Sequence, residues 1–269
     1  MCGRFTLVVP SADDLAQALG VEISAETRAA YRPRYNVAPT DPHWVLRMKN
    51  GVRELMGASF GLVPRWAKST ADRAKAINAR SETIASMPKF RDAFARRRCV
   101  VVADGFLEWR SVDGAKRPLW FTPKRGGLLP MAGIYEKWSA PDGSTLRTFS
   151  IVTTAANDFM RDVHDRMPVL LTEAEMETWM GGPYATDDGR APAVTDEVRA
   201  LLRPAPNDFL LMTPVSSRVN SVRNDDPACL LTGEEEPPPE KKRRAPRRAP
   251  KPAEELPLFA QTGEHRARK

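Results

Sequence analysis

The chain has 269 residues, and its content of 42% hydrophobic and 28% charged residues is typical of a protein with a packed core. No apolar run approaches the roughly 20 residues that a membrane span needs, and the start MCGRFTLVVP lacks the basic and apolar regions of a signal peptide. Three scattered cysteines are too few for a disulfide framework or a zinc site. We therefore expect a reducing, cytoplasmic setting, no membrane association, and neither a metal nor a cofactor.

The formal net charge of +7 favours an anionic partner, with nucleic acid as the first candidate. Residues 233–269 contain ten Lys and Arg and seven Glu, so they carry +3 and residues 1–232 carry +4. Because the excess over residues 1–232 is small, a nucleic-acid site there must come from local clustering of cations.

Turn dipeptides mark the predicted strands. The first predicted strand covers residues 4–9. Three dipeptides then stand between strand-like runs: Asn50-Gly51, Asp113-Gly114 and Asp142-Gly143. The first of them predicts a hairpin between residues 43–49 and 52–58, and the other two predict further strand pairs.

Helical patterns are scattered among these strands. Ser11 and Asp14 are predicted to begin a short helix as a capping box, and residues 88–97 and 172–180 are predicted helices. Hairpins with scattered helices, without regular alternation of strand and helix, predict an α+β fold. We expect a central antiparallel β-sheet or barrel core flanked by short helices.

The chain divides into two predicted regions. Residues 1–232 form one domain, and residues 233–269 form a disordered, basic, proline-rich tail. The tail opens EEEPPPEKKRRAPRRAPKPAEE, which is rich in proline and charge and contains no aromatic residue. Such a segment cannot bury enough surface to offset the entropy lost on ordering.

The cysteine at position 2 is the first candidate for chemistry. Methionine aminopeptidases remove Met1 before small residues, so Cys2 is expected to become the free N-terminus. The reference pKa of an α-amine is about 7.7–8.0, against about 10.4 for lysine, so roughly a tenth of this amine is neutral at pH 7. The amine can form a Schiff base with an aldehyde, and the thiol on the adjacent carbon can then close a thiazolidine ring.

Six ordered motifs set polar groups among turn residues. They are MCGRF at Cys2, YNVAPT at Asn36, INARSET at Asn78, DGFLEW at Glu108, VHDRMP at His164 and TPVS at Ser216. In this order and spacing the set resembles the SRAP family, the SOS-response-associated peptidase-like proteins, from position 2 to about position 225. The resemblance implies an SRAP-like fold and a role in DNA damage. Members of the SRAP family shield abasic sites in single-stranded DNA through a thiazolidine crosslink.

The resemblance also implies residue roles. Cys2 is the implied crosslinking nucleophile, and Asn78 is implied to hold the opened sugar. Glu108 is the implied general acid or base, and His164 is implied to assist sugar opening and proton transfer at the Schiff base. The implied DNA contacts are Arg4, Asn36, Pro39, Trp66, Arg80, Trp109 and Arg166. The implied partner is single-stranded DNA that contains an abasic site, including junctions with one duplex arm.

The residues alone leave two interpretations for each candidate group. An apolar setting would raise the pKa of Glu108 and let it donate a proton near neutrality, whereas a strand carboxylate that faces solvent is the alternative. His164 is either an acid or base group or a hydrogen-bonded structural histidine. Asn78 either acts on a ligand or caps a helix suggested by residues 81–86.

Cations cluster around Trp66 in the sequence. The cluster consists of Arg65, Lys68, Arg73, Lys75 and Arg80, all within sixteen residues. Such a pattern suits single-stranded DNA, because charges can follow the backbone while a ring stacks on a splayed base. A solvated loop is the alternative.

A short apolar segment interrupts the predicted tail. Glu255, Leu256, Leu258 and Phe259 resemble the QLxLF-type peptide by which bacterial repair proteins dock on the sliding clamp, with Glu in place of Gln. The sliding clamp is therefore a second predicted partner. The basic run at 241–248 is expected to add non-specific affinity for DNA.

Two other classes of function remain open. A thiol peptidase would use Cys2 as nucleophile and His164 as base, with removal of Met1 as autoprocessing, and would need only the thiol. A non-covalent single-stranded-DNA-binding protein would not need Cys2. The motifs favour the crosslinking reaction, which needs both the thiol and the free amine. The expected location is then the cytoplasm, in association with the nucleoid.

Overall fold

The computed structural model describes residues 2–186 and 190–232. The predicted tail and its apolar motif at 255–259 lie outside the described residues. Within the described ranges no helix is long and apolar enough to cross a membrane. The same ranges contain no cluster of three or more His, Cys, Asp and Glu side chains arranged to hold a metal ion.

The described residues form twelve strands and six α-helices. The strands are β1 Arg4–Leu7, β2 Arg34–Val37, β3 Pro42–Lys49, β4 Val52–Phe60, β5 Asn78–Arg80, β6 Arg98–Val101, β7 Gly105–Val112, β8 Ala115–Pro123, β9 Met131–Ser139, β10 Thr145–Ala155, β11 Arg166–Pro168 and β12 Leu210–Pro214. The helices are α1 Ala12–Leu19, α2 Ala25–Ala30, α3 Arg91–Arg96, α4 Asp158–Arg161, α5 Glu173–Met180 and α6 Asp196–Ala200. Short 3-10 helices cover Arg73–Lys75, Gly182–Tyr184, Ser217–Asn220 and Pro227–Leu230.

Five strands of the larger sheet close into a barrel. β3 pairs with β4 and β6, β6 pairs with β9, β9 pairs with β10, and β10 pairs with β4. β5 and β11 attach to β10 outside this ring. All of these pairs are antiparallel except those of β10 with β4 and with β5, which are parallel. The predicted α+β fold with an antiparallel barrel core is confirmed. The two parallel strand pairs were not predicted.

A second sheet carries the beginning of the chain. Its strand order is β12-β8-β7-β1-β2, so β1 lies between two neighbours. Apolar side chains of the two sheets share one core. Phe5 of β1 contacts Phe60 of the barrel edge-to-face at 5.4 Å between ring centres, and Phe149 at 6.5 Å. This packing fixes the second sheet against the barrel, because aromatic pairs prefer such offset geometry and exclude water.

The turn dipeptides form the predicted hairpins. Asn50 and Gly51 join β3 to β4 with φ of 51° and 73°, and Asp113 and Gly114 join β7 to β8 with φ of 50° and 75°. Two successive positive φ values are the requirement of a type I′ turn, which suits the twist of an antiparallel pair. The predicted turn at 142–143 joins β9 to β10. All three hairpin predictions are confirmed.

The helix predictions are confirmed in part. Ser11 Oγ accepts a hydrogen bond from the backbone N–H of Asp14 at the start of α1, and α5 begins with a complete capping box. The predicted helix over 88–97 is shorter, since it covers 91–96. The helix suggested by 81–86 is wrong, because Ser81 N–H donates to the barrel strand β10 and the chain continues in turns.

A polar cluster fastens β1 to the neighbouring hairpin. Trp120 Nε1 donates to Thr6 Oγ1 at 3.0 Å, and Thr6 Oγ1 donates to Asp104 Oδ1 at 2.5 Å. The other carboxylate oxygen of Asp104 accepts the backbone N–H of Val8. Gly105 makes room for this arrangement, since a Cβ there would lie 2.2 Å from Trp120 Nε1. Position 105 therefore requires glycine, because the indole ring of Trp120 occupies the space that a Cβ atom would need.

We predict that Gly105→Ala destabilises the protein, because its methyl group would also lie 2.8 Å from the Phe121 carbonyl oxygen. The free energy of unfolding should fall by about 1–3 kcal/mol, the usual cost of overpacking. Gly57→Ala is the matched control, since its Cβ would meet only Trp44 at an ordinary 3.7 Å. Urea unfolding of both variants checks the prediction, and an unchanged midpoint for Gly105→Ala would contradict it.

Candidate active site

Cys2 lies two residues before the first residue of β1 and is 1% exposed. Its backbone carbonyl oxygen accepts a hydrogen bond from Asn78 Nδ2 at 3.1 Å, and its Sγ lies 3.9 Å from the Arg4 carbonyl oxygen. Burial raises the pKa of the Cys2 thiol, and the nearby carboxylate of Glu108 raises it further. The thiol is therefore neutral at physiological pH, and it is held in a fixed position.

Glu108 lies on β7, beside the strand that follows Cys2. Arg4 pairs with Leu107 in the ladder, so continuing the register by one residue places Gly3 opposite Glu108. The Glu108 side chain is 6% exposed, and burial raises its pKa to about 6. The alternative of a solvent-facing carboxylate is thus excluded. A carboxyl group with this pKa can both donate and accept a proton near neutrality.

Asn78 brings an amide to the same place from the other sheet. It is the first residue of β5 and pairs in register with Ile151 of β10. Its Nδ2 donates to Cys2, while its Oδ1 is buried and has no hydrogen-bond partner within the described part of the chain. A buried acceptor without a donor is costly, so this oxygen is suited to receive a hydroxyl or an amine from a bound molecule.

His164 lies in the loop before β11. Its Nδ1 is 2.9 Å from the backbone N–H of Arg166 and 2.8 Å from Oδ1 of Asp165, and these neighbours favour opposite protonation of Nδ1. Burial lowers the pKa of the imidazole, and the Asp165 carboxylate is largely exposed, so we assign the neutral ring. Nδ1 then accepts from Arg166, and Nε2 carries the proton.

Arg166 ties two motifs together. Its guanidinium forms a bidentate ion pair with Glu82, at 2.6 Å to Oε1 and 2.9 Å to Oε2, and donates to the Thr153 carbonyl oxygen at 2.7 Å. Glu82 follows β5 and Arg166 begins β11, so the pair joins strands on either side of β10. In this geometry the predicted DNA contact at Arg166 is already engaged by a carboxylate.

A cleft of about 560 Å³ is lined by Gly3, the residue that follows Cys2. Its lining includes Arg4, Pro39, Thr40, Glu108 and Trp109. The Arg4 guanidinium lies 5.8 Å from the centre of the Trp109 ring, close enough for a cation–π interaction. Three predicted DNA contacts, at positions 4, 39 and 109, therefore share this cleft with the predicted acid or base.

Asn36 lies behind the wall of the cleft and is fully buried. Its Nδ2 is within hydrogen-bond distance of the carbonyl oxygens of Val219, Ser221 and Asn224, at 3.1, 3.0 and 2.8 Å. Its Oδ1 accepts from Arg4 Nη1 at 2.8 Å. The structure thus places this predicted DNA contact where it fastens residues 219–224 and orients the Arg4 guanidinium.

The predicted basic cluster lies on an exposed loop after β4. Trp66 is 65% exposed, and Arg80 is exposed at the end of β5. Trp138 Nε1 donates to the Ala67 carbonyl oxygen at 2.7 Å and so holds the middle of the loop on β9. Trp66 is therefore presented to solvent on an anchored loop, a placement compatible with the predicted stacking on a base.

Three cations on the β7–β8 hairpin were not predicted as site residues from the sequence: Arg110, Lys116 and Arg117. The register of the hairpin places Arg110 directly opposite Arg117. The charge of Lys116 reaches both Glu108 and His164, although burial dominates the pKa of each. The predicted turn at 113–114 already contained this pairing, since a two-residue turn fixes which residues face each other.

The structure thus places a buried cysteine near the start of the chain, with a carboxyl group and an amide beside it. The model of the SOS response associated peptidase (SRAP) family matches residues 1–222, and the chain belongs to this family. The resemblance predicted from six sequence motifs is thereby confirmed.

Relatives and a solved structure agree with this assignment. The chain is 38% identical over 228 residues to abasic site processing protein YoqW of Bacillus subtilis (strain 168). This alignment covers 84% of the chain and 97% of YoqW. The chain is also 36% identical over 233 residues to abasic site processing protein HMCES of Gallus gallus. That alignment covers 75% of the chain and 66% of HMCES. A crystal structure of a protein from Bacteroides thetaiotaomicron matches with a TM-score of 0.75 at 25% identity, and covers 87% of this chain and 100% of that one.

We predict that Asn36→Leu, which keeps the approximate shape but removes the amide, loosens the segment at 216–226. The two amide protons that the carbonyl oxygens of Val219, Ser221 and Asn224 share are lost, so the free energy of local opening should fall by about 1–3 kcal/mol. Hydrogen exchange measured on peptides from 216–226 checks this, with the β3–β4 hairpin as internal reference. Equal protection in variant and wild type would show that the amide does not hold the segment.

Proposed function

We propose that the protein captures abasic sites in single-stranded DNA covalently, through a thiazolidine formed by Cys2 after removal of Met1. The observation that carries this proposal is the position of Cys2 beside Glu108, whose pKa is about 6. The residue with both nucleophiles is thus next to a group suited to proton transfer at neutral pH. The names of the relatives, abasic site processing proteins, support the substrate.

The proposed reaction begins with the opened sugar. The neutral amine of Cys2 adds to the C1′ aldehyde and gives a carbinolamine, which loses water to give an iminium ion. The thiol then adds to C1′ and loses its proton, so aldehyde and aminothiol give thiazolidine and one water molecule. Protonated Glu108 donates to the departing hydroxyl, and its carboxylate accepts the proton that the thiol releases.

The neighbouring groups suit the remaining steps. The unpartnered Oδ1 of Asn78 accepts a hydrogen bond from a hydroxyl of the sugar beside Cys2. Neutral His164, with its proton on Nε2, donates a hydrogen bond to the ring oxygen, while net transfer of the C1′ hydroxyl proton to that oxygen opens the hemiacetal to the aldehyde. Each role requires the neutral form of the side chain, and burial lowers the pKa of the imidazole in the required direction.

The electrostatics do not favour the peptidase alternative. A cysteine peptidase needs a thiolate, which is usually obtained beside a protonated histidine or at a helix N-terminus. Here burial raises the pKa of the Cys2 thiol and lowers that of His164, so both shifts oppose an ion pair. Thiazolidine closure tolerates a neutral thiol, because the amine attacks first and creates the electrophilic iminium.

We predict that wild-type protein forms a band that survives denaturing electrophoresis when it is mixed with a single-stranded oligonucleotide containing one abasic site. Cys2→Ala should give no such band, because it lacks the thiol that closes the ring. A form that retains a residue before Cys2 should also give none, because its amine is blocked. The gel measures the crosslinked fraction.

The three proteins separate the alternatives. A band from all three would mean that a different residue captures the lesion. No band from any of them would contradict the proposed function and would direct attention to peptide substrates. Retained single-stranded-DNA affinity without a band would instead favour a non-covalent binding protein.

We predict a bell-shaped pH dependence of the crosslinking rate. The rate falls at low pH as the amine, with a reference pKa of about 7.7–8.0, becomes protonated. It falls at high pH as Glu108, with a pKa of about 6, ionises and can no longer act as an acid. The maximum should therefore lie between about pH 6 and 8.

Glu108→Gln provides the matched variant, since it keeps the size of the side chain but cannot exchange a proton. Its rate should be lower by roughly a hundredfold, and it should rise with pH to a plateau without the alkaline decline. Single-turnover kinetics across the pH range measure both features. An alkaline decline that persists in the variant would assign it to a group other than Glu108.

A further inference from the structure

The segment at 216–226 presents a valine to the cleft that contains Glu108. Val222 is 56% exposed, and it lines this cleft together with Pro39 and Trp109. Exposed apolar side chains that are scattered singly over a surface need no explanation. Val222 differs, because it shares a concave wall with a proline and a half-buried indole ring. The three apolar side chains thus border one space that is open to solvent.

Hydrogen bonds hold the backbone on both sides of Val222. The carbonyl oxygens of Ser221 and Asn224 lie 3.0 and 2.8 Å from Asn36 Nδ2. Asp225 Oδ1 accepts the backbone N–H of Asn36 at 3.0 Å. The position of the valine is therefore fixed before a ligand arrives, so little conformational entropy is lost when a ligand covers its isopropyl group.

The same segment holds the ring of Trp109. The indole Nε1 donates to Asn220 Oδ1 at 2.6 Å. Asn220 is two residues before Val222, and two residues of extended chain span at most about 7 Å. The Arg4 guanidinium lies 5.8 Å from the centre of the indole ring. The cleft therefore combines a flat aromatic ring, an aliphatic side chain and a cation, all of which have defined positions.

A nucleobase of a single DNA strand has the chemistry that this combination recognises. Proteins bind single-stranded DNA by stacking its bases on aromatic side chains while cations follow its phosphates. A base beside an abasic site lacks a stacking neighbour on one side, so one of its faces is free to contact protein. The cleft volume of about 560 Å³ falls within the usual range of small-molecule sites and is sufficient for one base.

We propose that a base next to the abasic nucleotide packs between the Trp109 ring and the isopropyl group of Val222. The inference rests on the proposed function and names the part of the strand that the cleft holds. Glu108 lines the same cleft, so the base lies one nucleotide away from the sugar on which Glu108 acts. An isopropyl group makes no hydrogen bonds, and Val222 therefore adds affinity that requires a base at this position but does not depend on its identity.

The test compares Val222→Ser with a matched control, Val52→Ser. Val52 is 66% exposed at the start of β4, and it is not among the described residues that line the cleft. Each protein is titrated with single-stranded oligonucleotides that carry a tetrahydrofuran analogue of the abasic site, which has no aldehyde and forms no crosslink. One oligonucleotide has bases on both sides of the analogue. Two others carry a second analogue in place of the base on its 5′ or its 3′ side, and fluorescence anisotropy gives each dissociation constant.

We expect Val222→Ser to bind the oligonucleotide with both flanking bases roughly three- to tenfold more weakly than wild type, because the lost methyl groups no longer cover a base. The difference should vanish with the one oligonucleotide that lacks the contacted base and persist with the other. Val52→Ser should bind all three as wild type does. Wild-type affinity in Val222→Ser, or an equal loss for all three oligonucleotides, would overturn the inference.

Urea unfolding separates a lost contact from a disturbed fold. Val222→Ser should keep the wild-type midpoint, because the substituted side chain is exposed. A lower midpoint together with a loss that does not depend on the flanking base would assign Val222 a structural role and would overturn the inference.

The outcomes distinguish this inference from the proposed function. Wild-type protein that forms no covalent band with a true abasic site defeats the proposed function, whereas the titrations include no covalent step and still decide the role of Val222. Covalent capture by wild type, with equal affinity for oligonucleotides that have and lack the flanking bases, would overturn the inference and leave the proposed function in place.

Discussion

The ladder that holds β1 between β7 and β2 is the interaction on which the candidate site depends. The first residues of a chain are ordinarily poorly ordered, because they have few partners. Here Arg4 pairs with Leu107 and Phe5 with Val37, so backbone hydrogen bonds fix both edges of the strand. Two residues after Arg4, the hydrogen bond from Thr6 Oγ1 to Asp104 also fixes the strand through a side chain. On the proposed mechanism, Cys2 is held in position for attack because the strand that follows it is internal to a sheet.

That arrangement also sets the electrostatics of the site. Burial excludes water from the Cys2 thiol and from much of Glu108, and partly from His164, so each of these three groups is driven toward its neutral form. The pKa of Glu108 rises to about 6, the pKa of the Cys2 thiol rises, and that of His164 falls. Neutral groups serve addition and loss of water, in which protons move one at a time, better than they serve attack by a preformed thiolate. Burial of these groups thus favours thiazolidine formation over attack by a thiolate, although the same residues could take part in either reaction.

The features that could be predicted from the sequence are local or carried by motifs. The dipeptide Asn50-Gly51 predicts its hairpin, because few other residues adopt two successive positive φ values. The family could be predicted from the six ordered motifs. The position of Asn36 could not be predicted, because its partners lie about 180 residues later in the chain. Local propensity suggests a helix at 81–86, whereas in the structure the Ser81 N–H donates to Thr153 of the distant barrel strand β10. Contacts of this range are decided by tertiary packing and leave no periodic signal.

The burial of Cys2 has a consequence for the order of events during synthesis. An aminopeptidase binds an extended chain end in its own active site, whereas Cys2 is 1% exposed and lies two residues before β1 in the folded protein. The partner strand of Arg4 follows it by about a hundred residues, which a ribosome adds in roughly 5–20 s. On the proposed mechanism, removal of Met1 is therefore expected in this interval, before the sheet assembles. A molecule that misses the interval would fold around an unprocessed end and, on the proposed mechanism, remain inactive for its lifetime.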